Sequence, residues 1–139
     1  MRDGETHGYE TIDPEVAQHA VQIIKEVGPD ISFVYFCGAD EAGHNSGTVE
    51  GSYFDAIERI DLLVEDLYQS ILSRNKESAE KWLLVITTDH GHRDEGGHGG
   101  DSAQERASFV IAHGIGTENP SWPLDIKPEH LVGHILATL

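Results

Sequence analysis

At 139 residues, with 38% hydrophobic and 24% charged side chains, the chain has the length and composition to bury the core of one domain, which argues against a disordered tract. Asp and Glu number 25 against 9 Lys and Arg, a formal net charge of -16, so binding to nucleic acid or to an anionic membrane through a basic patch is disfavoured and metal cations are favoured partners. The single cysteine, Cys37, rules out an internal disulfide and a cysteine zinc cluster.

The polar start MRDGETHGYE holds no apolar signal core, and no stretch approaches the roughly 18 apolar residues of a membrane span. The expectation is a cytoplasmic chain by default, with any targeting signal lost if the sequence is the back half of a longer protein. Asp13-Pro14 reads as an N-cap with proline at the first helical position, and Val16, Ala20, Ile23, Ile24 and Val27 follow at helical spacing up to Gly28-Pro29. Residues 31–37, Ile-Ser-Phe-Val-Tyr-Phe-Cys, are apolar, aromatic and branched, as in a strand buried on both faces, with Cys37 a buried, inert thiol. After a glycine-containing stretch to Gly51, Tyr53, Ile57, Ile60, Val64, Leu67 and Ile71 alternate spacings of four and three, which predicts a long helix; Glu58, Asp61, Glu65 and Asp66 fall on its solvated face.

Trp82 to Thr87 predicts a second buried strand, 91–101 an irregular glycine-rich loop, and Phe109 to Ala112 a third strand. Pro120 and Pro123 mark a surface turn, and Leu131, Ile135 and Leu139 predict a closing helix from Pro128. Strands separated by helices predict a single α/β domain over 1–139, a mostly parallel sheet with flanking helices. In such sheets ligands bind at the carboxyl ends of the strands. Asp40 and the pair Asp89-His90 stand at two of those ends.

Asp40 and His44, four residues apart, point the same way if the chain turns helical after the strand, and their oxygen and nitrogen donors suit zinc, or manganese or iron in a related geometry. In Thr88-Asp89-His90-Gly91 and Gly96-Gly97-His98-Gly99, an acid and two histidines lie in a loop too polar and too rich in glycine for a packed core. A flexible metal-scavenging loop is the competing reading.

These strings, with Asp40-x-x-Gly-His44-x-x-Gly47 and Tyr53 after it, resemble the metal-binding motifs of the alkaline phosphatase superfamily over about residues 31–114. The nearest branch is the type I phosphodiesterase and nucleotide pyrophosphatase group, and the ethanolamine-phosphate transferases are also similar. Leu124-Asp-Ile-Lys-Pro128 is similar to the element that starts that family's final helix. The resemblance implies a hydrolase of phosphate mono- or diesters with two zinc ions, a small-molecule phosphate ester as substrate, Asp40, His44 and His98 on the first ion, and Asp89 and His90 on the second. Three protein ligands with an open fourth position is the usual catalytic zinc arrangement, and two ions clamp the attacking and leaving oxygens.

The resemblance also implies a Ser or Thr nucleophile and a further metal aspartate well over a hundred residues before Asp40, where this sequence has 39 residues. Thr6 and Thr11 follow no strand, so no catalytic nucleophile is assigned. The chain reads as the C-terminal metal-binding half of such a domain, weakly active or inactive alone. Two alternatives are a non-catalytic metal-binding or interaction module, forming a homodimer through an exposed sheet edge, and a hydrolase in which a single zinc activates water. His92 is expected to be a solvated loop residue and His113 a surface one. Arg93 and Arg106 are phosphate clamps by chemistry alone, while His7, His19, His130 and His134 are structural or exposed. A sulfatase reading fails because Cys37 is followed by Gly-Ala-Asp.

Overall fold

The computed structural model describes residues 4–49 and 51–139; Met1 to Asp3, part of the polar start, and Glu50, just before the long predicted helix, lie outside it. After the short α1 (Gly4–His7), α2 spans Tyr9–Glu26, so the helix begins earlier than the Asp13-Pro14 signal predicts. Asp13 lies within α2, 4% exposed, and its carboxylate does a different job. It accepts the backbone N–H groups of Cys37 (3.2 Å) and Gly38 (2.8 Å), capping another helix instead of its own. Burial pushes this carboxyl above its ordinary value, and the two N–H bonds pull the other way. Pro14 is tolerated near the start of α2, where its missing N–H removes a single intrahelical bond. At the far end Gly28, at φ 63°, donates its N–H back to Ile23 (3.2 Å), a left-handed helix stop.

The long predicted helix forms as α4 (Gly51–Ser78), and it packs its apolar stripe against α2. Ile24, Leu67, Ile71 and Ile115 form the core, flanked by Val21, Val34, Phe36, Trp82 and Leu84. Arg74 at the C-terminal end of α4 pairs with Glu80 and donates to the Lys25 carbonyl (3.0 Å), which joins the ends of α2 and α4 to the start of β1.

β1 (Trp82–Thr87) forms where predicted, and β2 covers Val110–Ile115, one residue later at its start than expected and three longer at its end. They pair antiparallel, from Trp82 opposite Ile115 to Thr87 opposite Val110, so the sheet among the described residues is two-stranded and antiparallel and the expected mostly parallel sheet is corrected. The physical reason lies in the connection. Parallel neighbours need a crossover, and no helix intervenes between Thr87 and Val110, where the chain turns back on itself. Residues 31–37 are likewise not a strand here. Exposure alternates along them: Val34 and Phe36 pack on the core, whereas Ile31, Tyr35 and above all Phe33, at 89%, face out. One face is buried instead of the expected two, because among the described residues no strand pairs with the segment.

α3 (Gly38–Ser46) follows that segment directly. The tail carries α5 (Pro128–Thr138), which forms as predicted with no buried side chain; the Trp122 indole donates to the Thr138 hydroxyl (3.0 Å). No described helix is long and apolar enough to cross a membrane.

Candidate metal centre

The chain turns helical at Gly38, so Asp40 and His44 fall one helical turn apart on the same face of α3, with His44 Nε2 3.6 Å from Asp40 Oδ1. Cys37, just before α3, is half-buried, and burial raises its thiol above the ordinary range, in keeping with an inert role. Its neighbour Tyr35 donates to the sulfur at 3.8 Å, and that bond, with burial, pushes the phenol up to about 12.

The second half of the site is the irregular stretch between β1 and β2, and backbone contact locks it to α3. Thr48 N–H donates to the Asp94 carbonyl (3.0 Å), and Arg93 and Gly97 close a turn through Arg93 N–H to Gly97 O (3.1 Å). Gly96, at φ 93°, lies so close to the Gly43 carbonyl that a Cβ there would overlap it. Glu105 holds the loop from inside. Buried, it accepts from Gly100 N–H (2.8 Å), Ser102 N–H (3.3 Å) and the Ser102 hydroxyl (2.5 Å), and pairs with Arg93 at 3.7 Å. The Ser102 hydroxyl first, and the Gly100 N–H next, hold this carboxyl below the usual glutamate value.

Asp40, His44, His92 and His98 converge, each offering one ligand atom within 4.8 Å of the others. Asp40 Oδ1 is 2.8 Å from His92 Nε2, 3.3 Å from His98 Nε2 and 3.6 Å from His44 Nε2. Zinc bound tetrahedrally at about 2.0–2.1 Å sets its ligand atoms about 3.3 Å apart, so these separations bracket the expected edge and the donor set fits a zinc-type ion. His92 was expected in solvent; instead its side chain is 5% exposed, against 29% for His98, and its Nδ1 is buried without a hydrogen-bond partner. The ring packs over Gly43, where a Cβ would come within 3.0 Å of it. A loop has no period to single this residue out; the signal in the sequence is the His90-Gly91-His92 triplet beside an acid.

Asp89 and His90 stand at the end of β1 as predicted. Asp89 Oδ1 accepts the His90 backbone N–H (3.1 Å) and lies 3.7 Å from His90 Nε2, while the His90 ring stacks on His98 with centroids 3.8 Å apart. Their pair therefore adjoins the cluster, but among the described residues no third His, Cys, Asp or Glu joins it in a comparable group. His113 lies within β2, 3.5 Å from the Tyr68 hydroxyl and 3.0 Å from Asn119 Oδ1, outside the cluster. Arg93 is engaged with Glu105.

These features define an α/β chain with an Asp/His cluster of metal-binding type at the junction of α3 and the β1–β2 connection. Residues 4–105 match the model of the type I phosphodiesterase / nucleotide pyrophosphatase family, and the chain belongs to that family, within the alkaline phosphatase superfamily. It is 29% identical over 124 residues to GPI ethanolamine phosphate transferase 2, catalytic subunit, of Homo sapiens, covering 88% of this chain and 12% of that protein. It is 31% identical over 100 residues to GPI ethanolamine phosphate transferase 1 of Yarrowia lipolytica, covering 72% of this chain and 11% of that protein. To GPI ethanolamine phosphate transferase 3 of Schizosaccharomyces pombe it is 28% identical over 99 residues, covering 71% of this chain and 10% of that protein. The chain thus spans about a tenth of the length of these relatives. No solved structure matches it.

Proposed function

We propose that the chain is the metal-binding part of a phosphodiester-handling enzyme that works with two zinc ions, the first held by Asp40, His44 and His98 and the second by Asp89 and His90. The observation that carries this reading is the convergence of Asp40 Oδ1 with the Nε2 atoms of three histidines in a chain of net charge -16. Such a chain repels a phosphate ester unless cations stand between them. When bound, zinc supplies Lewis acidity toward a phosphoryl oxygen.

The chain's own residues supply position. Asp89, 68% exposed, faces the solvent side from which an ester arrives, and the His90–His98 stack holds the two ligand groups side by side. Phosphodiesters are favoured over monoesters by the family's description and by the relatives' names, which point to ethanolamine phosphate as a group transferred. The hydroxyls of Thr87 and Thr88, nearest in sequence to Asp89, donate to the carbonyls of Phe109 (2.8 Å) and His90 (2.7 Å), so neither is offered as the nucleophile.

Calorimetric titration with inorganic phosphate tests the reading. The zinc-loaded chain is expected to bind phosphate, with binding abolished by chelation and weakened in Asp89→Asn. Equal phosphate binding by the metal-free chain, or none by the zinc-loaded one, would sink it.

A further inference from the structure

The rings around Asp40 carry more information than the three-ligand set implied by the sequence. The centroids of His44, His92 and His98 form a nearly equilateral triangle with sides of 5.1 Å (His44 to His92), 5.0 Å (His92 to His98) and 4.9 Å (His44 to His98). An ion about 2.0–2.1 Å from each Nε2 at tetrahedral angles sets imidazole centroids about 5 Å apart, and right angles would bring them to roughly 4.5 Å. His90 breaks the pattern, lying nearly parallel to His98 at 3.8 Å and 5.7 Å from His92. Asp40 Oδ1, at 2.8 to 3.6 Å from the three Nε2 atoms, stands at the fourth vertex.

We propose that His92 is a fourth protein ligand of the first ion, closing that site as one carboxylate and three imidazoles. The assignment rests on the reading that Asp40, His44 and His98 hold an ion. A second observation points the same way. The His92 side chain is 5% exposed, and its Nδ1 is turned toward Gly43, which leaves Nε2 as the ring nitrogen facing the cluster. The only hydrogen-bond or ion-pair partner of Nε2 among the described residues is Asp40, the carboxylate at the centre of the cluster. With two ligands from α3 and two from the loop, the ion fastens α3 to the β1–β2 connection.

Cobalt(II) titration of the purified chain, read by visible absorption and by competition with a chelator, gives the first test. The expected result is that the tightest-bound ion shows the intense bands of a four-coordinate site, with an affinity loss for that ion in both His92→Ala and His98→Ala beyond the roughly 10–100-fold typical of removing an outer-sphere partner. Because removing a buried ring also threatens the fold, a second readout uses the unsubstituted chain with nitrogen-labelled histidine and spin-active cadmium. Three imidazoles coupled to the ion, His92 among them, are expected. Coupling to His44 and His98 without His92, or a His92→Ala affinity equal to that of the unsubstituted chain, would overturn the fourth ligand and leave the metal site standing. No ion taken up by the unsubstituted chain would overturn the site itself and the proposed function with it.

Discussion

The two segments that build the cluster place their side chains by opposite means. α3 presents Asp40 and His44 through the regularity of a helix, so four residues of spacing suffice to bring both to one face. The segment from His90 to Glu105 has no regular structure and places His92 and His98 through glycine contacts, a buried carboxylate and turns. A helix needs only its cap and its hydrogen bonds; the loop needs each particular atom. Substitution should therefore hurt the loop more than the helix.

The largest effect is expected at Gly96→Ala. A methyl at φ 93° is strained and overlaps the Gly43 carbonyl, so the loop must part from α3 at a cost of roughly 3 kcal/mol or more. Thermal melting and metal affinity should fall together; unchanged zinc binding would mean that the loop holds its ligands without touching α3. Next is Glu105→Ala, which leaves the N–H groups of Gly100 and Ser102 and the Ser102 hydroxyl without their acceptor and is expected to weaken metal binding roughly 10–100-fold as an outer support of the ligands.

The same residue predicts a pH effect with a definite sign. Because the folded-state value of Glu105 lies below the ordinary 4.5, its stabilisation is complete above that value and fades as pH falls through the lowered one. Amide exchange in the loop should therefore rise, relative to the core, only on that acid side, and Glu105→Gln should remove the dependence.

On the helix side, Asp13→Ala removes the acceptor for the first N–H groups of α3 and is expected to cost about 1–2 kcal/mol in denaturant unfolding. A loss as large as that of Gly96→Ala would erase the contrast between the two segments. The smallest effect belongs to Arg59→Ala, whose exposed pair with Glu10 spans 3.9 Å; stability should stay within about 0.5 kcal/mol.

What the sequence disclosed follows the same division. The long helix α4, β1 and the closing helix were legible because their apolar spacing is a local property of the chain, and Asp40 with His44 followed from helical geometry. The buried role of His92 was not legible, since it depends on Gly43 and Asp40 coming within reach from across the fold. The segment at 31–37 marks the other limit. An apolar, branched run states what a residue prefers and says nothing about which neighbours arrive to pair with it, so a strand was expected where one face is packed and the other is left outward. The antiparallel register of β1 and β2 was hidden for a related reason, because it is decided by how the intervening loop folds back.

Asp40 and His44 lie on one side of the whole of α4 and β1 in the chain, and His92 and His98 on the other. An ion bridging them acts as a removable cross-link across that span, forbidding many open arrangements of the unfolded chain and adding its binding energy to folding. Chelation should then lower the unfolding midpoint of the molecule as a whole and expose the α4 boundaries to proteases.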